Sequence, residues 1–467
     1  MAHQRIRDPL LDLVEFSTSE LERTLWKVLQ TRPFQRLRRV KQLGFSDLVY
    51  PGASHSRFAH SVGVFYTARQ LMEVVHRHVS EDQSSKEWKA LAASLVHDLG
   101  HGPFSHAFEK VGKRLGLKLA DHETMSDTLI RQGEVAEVFQ EQFGRGFADD
   151  VADIIKKDGV KTVQHAVVSS QFDADRLDYM RRDRLMTGTQ RAAIDFPWLI
   201  ANLEIGSVAI GVDDTPLGTI ETFVLGPKAI HAAEAFILGL FQLYPTVYFH
   251  KATRGAEKIF TELLVRIVTL VREENLAATG LPRNHPLVRF AQSPVDIDVA
   301  LTLDDTVVWG ALTQMSEAED PLVSEFSARL RDRNLYKCCD IRMQVTHVFD
   351  PKSSNTDEVI EKIDRCCASI EMKLIEWTER NFKDRPRILV DNDERSPYKS
   401  VNESKGPLDR INIRTEGGAL VDLKERSSVV AALKAYKLFR AYSDRSDTEA
   451  QDAMVRIIKG EIGTCHT

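Results

Sequence analysis

The stretch Leu95-Val-His-Asp-Leu-Gly-His-Gly-Pro-Phe-Ser-His106 constrains this chain more than any other, because three histidines and an aspartate sit among apolar and small residues. That company suits a divalent cation, which needs neutral imidazole nitrogens and an ionised oxygen. His97 and Asp98 are adjacent, and a helix carried through Leu99 places His97 and His101 on one face. Gly100, Gly102 and Pro103 then bend the chain, which lets His106 approach the same place from another direction. The pattern is that of a metal site, with zinc, iron, manganese and magnesium all compatible with it.

His97 and Asp98 supply two ligands, and the others must come from elsewhere in the chain. Two stretches offer them: Ser56-Arg-Phe-Ala-His-Ser-Val-Gly63, which contains His60, and Phe172-Asp-Ala-Asp-Arg-Leu-Asp-Tyr-Met-Arg-Arg-Asp183. On helical spacing Asp175, Tyr179 and Asp183 share one face of the second stretch. A solvated charged helix is the ordinary alternative for so polar a run.

The surrounding pattern is mainly helical. Leu21, Leu25, Val28 and Leu29 recur at helical spacing in a segment from Ser17 to about Leu43, with Ser17 or Thr18 as N-cap. Further helices are expected with Phe58, Val62, Phe65 and Leu71 on one side, over 88–99, from Glu123 to about Lys157, and from Val163 to about Leu185. Alternation at Val208, Ile210 and Val212 followed by a turn predicts a small β-hairpin near 208–223. Helices resume from Lys228 to near Leu270 and again at 307–312 and 322–331. Beyond Arg333, alternation at Ile341, Met343 and Val345, at Ile388–Val390, at Ile411 and Ile413, and at Leu438, Arg440 and Tyr442 reads as strands, with Asp391–Lys405 as an exposed loop. The expectation is a mainly α fold, a helical bundle over residues 1–315 followed by an α+β lobe over 316–467 that serves regulation or oligomerisation.

With 467 residues the chain is long enough for two or three structural units. A net charge of −6 with interspersed signs argues against a general nucleic-acid or membrane-surface binder, so a polyanionic ligand must be gripped locally. Cys338-Cys339, Cys366-Cys367 and Cys465 match neither a zinc knuckle nor a secreted disulfide framework, and no signal peptide is read at the N-terminus. A cytoplasmic location is expected. The apolar tract Ala232–Tyr244 is interrupted by Glu234 and Gln242 and reads as a buried helix, too short for a membrane span.

The order His60, His97-Asp98, Asp175 resembles the HD-domain metal-dependent phosphohydrolases. Phe34-Gln-Arg-Leu-Arg-Arg-Val-Lys-Gln-Leu43, Pro51-Gly-Ala-Ser-His-Ser-Arg-Phe-Ala-His-Ser-Val-Gly63, His122-Glu123 and Asp173-Ala-Asp-Arg-Leu-Asp-Tyr179 narrow the likeness. They are similar to the deoxynucleoside triphosphate (dNTP) triphosphohydrolases, in particular to the catalytic region of those carrying a sterile-alpha-motif module, which is not read here. Weaker similarity runs through Arg333-Asn-Leu-Tyr-Lys337 to Leu438-Phe-Arg-Ala-Tyr442.

This resemblance implies a dGTPase-like hydrolysis of dNTPs to deoxynucleoside and inorganic triphosphate, by attack of water at the α-phosphorus, that controls or depletes the dNTP pool. It implies a divalent metal ion on His60, His97, Asp98 and Asp175. It makes His106 the general acid, His101 a contact to the α-phosphate, and His122 and Glu109 their support. Arg57 and Arg176 would line the triphosphate path, Tyr179 would pack on the sugar, and Asp183 and Gln42 would bind its 3′-hydroxyl. Tyr248 with Leu43 would exclude a 2′-hydroxyl. Leu240 and Tyr244 stand where the relatives have an arginine on the phosphates and a histidine near the base.

Gln35, Arg38, Lys228 and Arg333 match positions of nucleotide effector sites, and a homo-oligomer, dimer or tetramer, is implied. Gln30 replaces the aspartate that reads guanine there. The rival readings are an HD phosphodiesterase or nucleotidase acting on another phosphoester, and a non-catalytic nucleotide-sensing scaffold.

Overall fold

The computed structural model describes residues 3–78, 84–156, 162–212, 215–352, 354, 356–382, 385–398 and 407–466. The protein is mainly α, with a helical region followed by a C-terminal α+β region. It divides into two compact units interleaved along the chain: Met1–Tyr248 with Pro294–Thr306 and Ser396–Lys434, and Phe249–Ser293 with Val307–Arg395 and Ala435–Thr467. The sequence reading divides the chain once, near 315, because local composition does not report a segment such as 396–434 that returns to pair with an earlier one.

The first unit is built round the helix Arg57–His78, which is buried on every side rather than amphipathic. The helix Ala174–Thr187 packs along it, opened by the Asp173 side chain accepting the Arg176 N–H at 2.8 Å and closed by Gly188 at φ 71°. The predicted hairpin is longer than expected, Leu203–Val212 with Thr215–Leu225, and its second strand pairs in parallel with Asn412–Arg414, which pairs in turn with Leu420–Asp422.

Several expectations are corrected. The first helix is Glu20–Gln30, capped by Ser19 rather than Ser17 or Thr18, and Pro33 ends its continuity, leaving Arg32–Arg36 and a 3-10 turn Leu37–Arg39. An antiparallel hairpin, Gln4–Asp8 with Asp12–Phe16, precedes it where no strand is expected. The helix Ser84–Val96 stops before His97, so His97 and His101 do not share a helical face.

In the second unit Ile341–Phe349 is a helix, capped by Asp340, and the strand is Lys337–Asp340. Three alternating residues are too few to separate the two periods. Strand Tyr436–Ser443 lies between Lys337–Asp340 and Ile388–Arg395, antiparallel to both. Helices Asp357–Arg380 and Thr448–His466 bury Ile363, Cys366, Ile370, Leu374, Met454 and Ile458 with Phe439 and Ala441 of that sheet. The expected loop Asp391–Lys405 is strand to Arg395, and 399–405 lie outside the described residues. Among the described residues no single helix is long and apolar enough to cross a membrane; one bent pair, Pro227–Tyr248 with Lys251–Arg272, reaches the length only jointly.

Candidate active site

His60 leaves the first turn of the helix Arg57–His78, His97 and Asp98 follow the end of Ser84–Val96, and Asp175 lies in the first turn of Ala174–Thr187. Their donor atoms converge. His60 Nε2 is 3.0 Å from Asp175 Oδ1 and 3.7 Å from Asp98 Oδ2, while His97 Nε2 is 3.4 Å from Asp98 Oδ1 and 3.7 Å from Asp175 Oδ1. Metal–ligand bonds of ~2.1 Å set neighbouring donors roughly 3.0–3.4 Å apart, so the set fits a divalent ion. Both histidine Nε2 atoms are buried and face carboxylate oxygens rather than solvent, as ligand nitrogens do.

The electrostatics agree. Burial opposes a charged His60, yet hydrogen bonds to Asp175 and Asp178 overcome it and push its pKa up to about 10. Burial opposes ionised Asp175 and Asp98 as well, and the neighbouring histidines, with Arg57 at Asp98, hold both well below the usual carboxylate range. A pocket in which buried imidazoles attract protons this strongly has the potential of a cation site.

Beside it stands a second constellation on the helix His106–Leu115 and the start of His122–Arg131. Glu109 Oε1 lies 2.7 Å from His122 Nδ1, 3.0 Å from His106 Nδ1 and 3.7 Å from His101 Nδ1. The His101 and His122 rings stack at 4.1 Å. Against its burial, the bonds to His106 and His122 hold Glu109 well below the carboxylate range. His101 is kept neutral by burial and then by Arg57 and His122. His101 Nε2 is 3.3 Å from Asp98 Oδ1, which joins the two constellations. His106 is exposed at the helix start and bonded to Glu109 through one nitrogen only, which leaves its Nε2 edge for an incoming group.

The turn before His106 is strained. Phe104 and Ser105 both adopt φ 54°, unusual for residues with a side chain. Phe104 donates its N–H to Asp305 at 2.7 Å and stacks on Phe45 at 3.9 Å, and Ser105 Oγ accepts from Arg57 Nε at 2.8 Å. The other Asp305 oxygen accepts the Lys41 N–H at 2.9 Å, next to Gln42 and Leu43. Arg57 also ion-pairs Asp98, so this cation stands at the metal set. Arg176 is turned to the Ser170 carbonyl and Gln171.

Two turns beyond Asp175, Asp183 Oδ1 meets His55 Nε2 at 2.9 Å and Asp183 Oδ2 accepts the Tyr248 hydroxyl at 2.9 Å. Tyr248 is brought there by a π-helical turn, Tyr244–Tyr248, a distortion that concentrates at functional sites. Its ring meets Tyr179 edge-on at 6.3 Å and lies 6.0 Å from Tyr244. Gln42 donates its N–H to the His55 carbonyl at 3.0 Å, and its side-chain oxygen is buried without a partner. Of the expected effector residues, Arg38 donates to Gln35 at 2.9 Å and lies over Phe58; Lys228 sits on the 3-10 turn Pro227–Ala229, and Arg333 belongs to the second unit.

The sequence reading misses His55, Ser105, Asp178 and Asp305. Asp178 had a signal: the run 172–183 carries charge on every face, which a helix lying on a core tolerates only where buried ions are paired.

Residues 57–180 match the HD domain and residues 218–283 the HD associated region. The uncharacterized protein YwfO of Bacillus subtilis is 29% identical over 88% of this chain and 86% of its own length. The deoxynucleoside triphosphate triphosphohydrolase SAMHD1 of Mus musculus is 25% identical over 96% of this chain and 69% of its own. A solved phosphohydrolase from Bacteroides thetaiotaomicron superposes with a TM-score of 0.71 at 25% identity, covering 95% of this chain and all of that one.

Proposed function

We propose that this chain, an HD-domain metal-dependent phosphohydrolase, takes a dNTP and releases the deoxynucleoside and inorganic triphosphate. One observation carries the reading: the helix Ala174–Thr187 bears the metal ligand Asp175 in its first turn and, about 12 Å further along its axis, Asp183 held by His55 and Tyr248. Phosphate chemistry at one end and a fixed hydroxyl acceptor at the other suit a nucleotide. The likeness to SAMHD1 supports the same substrate class.

When bound, a divalent ion polarises a phosphoryl oxygen and lowers the pKa of water. The chain's residues do the rest. Water adds to the α-phosphorus and gives up a proton to solvent as the bond to the 5′-oxygen breaks, and that oxygen takes a proton from His106, whose Nδ1 is held by Glu109. Arg57 and neutral His101 contact the α-phosphate, with Arg176 further along the triphosphate. Asp183 and Gln42 take the 3′-hydroxyl, Tyr179 packs on the sugar, and Tyr248 with Leu43 closes the space a 2′-hydroxyl needs. Gln35, Arg38, Lys228 and Arg333 serve a nucleotide effector in a homo-oligomer.

The test is turnover with Mn²⁺ and each dNTP, alone and in pairs, with products resolved by chromatography. Inorganic triphosphate is the expected product. Orthophosphate or a nucleoside monophosphate instead makes the chain a different HD phosphoesterase, and nucleotide binding without turnover makes it a sensor.

A further inference from the structure

Behind the metal set lies a line of buried charge that ends in the N-terminal hairpin. His60 Nδ1 is 2.9 Å from Asp178 Oδ2. Asp178 accepts two bonds from Arg182, from Nε at 2.8 Å and Nη2 at 2.9 Å, and Arg182 Nη1 donates to Asp8 Oδ2 at 2.7 Å. The other oxygen of Asp8 accepts the backbone N–H groups of Leu10 and Leu11, at 2.9 and 3.0 Å, inside the turn that joins Gln4–Asp8 to Asp12–Phe16. The four side chains are only 0–4% exposed, so water does not substitute for any partner. Gly63, one turn after His60, makes the room: a Cβ there would stand 2.0 Å from Asp178 Oδ1 and 2.3 Å from Arg182 Nη2.

We propose that Asp178, Arg182 and Asp8 are positioning residues that set the metal affinity of His60, so that the N-terminal hairpin tunes a site to which it contributes no ligand. The inference rests on the metal reading of His60, His97, Asp98 and Asp175. A carboxylate on Nδ1 fixes the tautomer that carries its proton there, which turns the Nε2 lone pair toward Asp175 and makes the imidazole a better donor. Arg182 by itself would neutralise Asp178 and weaken that hold. Asp8 shares the guanidinium, and the trio keeps one net negative charge behind His60. Replacing Asp8 therefore weakens metal binding even though the His60–Asp178 bond is untouched.

The test is calorimetric titration of the whole chain with Mn²⁺, without nucleotide, for wild type, Asp178→Asn, Asp8→Asn and Arg5→Ala. Arg5 is an exposed residue of the same hairpin paired with Glu15, and its loss leaves Mn²⁺ affinity unchanged. Asp178→Asn lowers the affinity about 10–100-fold, and Asp8→Asn lowers it by at least about threefold. Thermal melts of the metal-free proteins separate affinity from folding, and if Asp178→Asn does not fold, Asp8→Asn decides by itself. Wild-type affinity in both aspartate variants overturns the brace while leaving the metal site standing. A wild type that takes up no Mn²⁺, Zn²⁺ or Fe²⁺ overturns the metal site and the brace with it.

Discussion

The Tyr248 hydroxyl donates to Asp183 Oδ2 at 2.9 Å, from a π-helical turn to the middle of a helix far from it in sequence. Burial, and then Asp183, raise the Tyr248 pKa well above its ordinary value, so the hydroxyl keeps its proton. Tyr248→Phe removes one bond worth about 1 kcal/mol and is expected to raise KM for a dNTP about fivefold. Tyr248→Ala also opens the proposed sugar site, and the ratio of kcat/KM for GTP to that for dGTP is expected to rise. Steady-state kinetics with both nucleotides would contradict this if the ratio stayed at its wild-type value.

Glu109 Oε1 is shared by His106 and His122, with His101 3.7 Å away, and Glu109→Gln replaces that common acceptor by an amide that donates to one side. The expected loss in kcat is about a hundredfold with little change in KM, because His106 loses the partner that orients it. Single-turnover rates at saturating substrate measure it, and an unchanged rate would remove His106 from the proposed role.

Removing metal tests the site by stability. An ion present at about a hundred times its dissociation constant adds about 2.7 kcal/mol to the folded state. Wild type should therefore melt at a lower temperature after chelation and recover with Mn²⁺. His97→Ala with Asp98→Ala should show no Mn²⁺-dependent shift and no turnover.

Asp305 gives the stability a pH dependence. Burial raises its pKa to about 7, against the N–H bonds from Phe104 and Lys41 that favour the carboxylate. From the ordinary carboxylate value of 3.8 up to about 7 the unfolded chain is ionised there and the folded chain is not, so stability falls as pH rises through this interval and levels off above it. The fall is about 4 kcal/mol. Asp305→Asn cannot ionise, and urea midpoints between about pH 5 and 8 should be flatter for it than for wild type. Parallel curves would rule out this source of the slope.

Gly63→Ala is expected to cost more than about 2 kcal/mol, since the new methyl would overlap Asp178 and Arg182 in a packed interior. Chemical denaturation measures it; a loss below half that value would mean that the two side chains shift without strain.

The His97-Asp98 pair and the helical character were legible in the chain because both rest on short-range pattern, whereas His60 and Asp175 followed from the family resemblance. His97 and Asp98 are neighbours, and the helix Glu20–Gln30 buries Leu21, Leu25, Val28 and Leu29 at the spacing the sequence shows. The turn after Val96 was not legible, since nothing in Leu95–Leu99 forbids another helical residue; the actual turn is held from distant segments, by Ser126, whose Oγ accepts the Gly100 N–H and donates to the His97 carbonyl, and by Arg36, which donates to the Leu99 carbonyl. The strand misread at Ile341–Val345 failed for a related reason: its cap, Asp340, decides the element, and three alternating positions do not.

By itself the sequence determined the chemical inventory of the site and the family of fold that holds it, because residue type and periodicity are local properties. Only the tertiary structure decided which nitrogen of each histidine faces a carboxylate, that Glu109 serves both His106 and His122, and that Asp8 and Asp305 stand behind groups far from them in the chain. Those pairings follow from burial: once water is excluded, each ion must find its counter-charge wherever the packing brings one, and no local pattern records where that is.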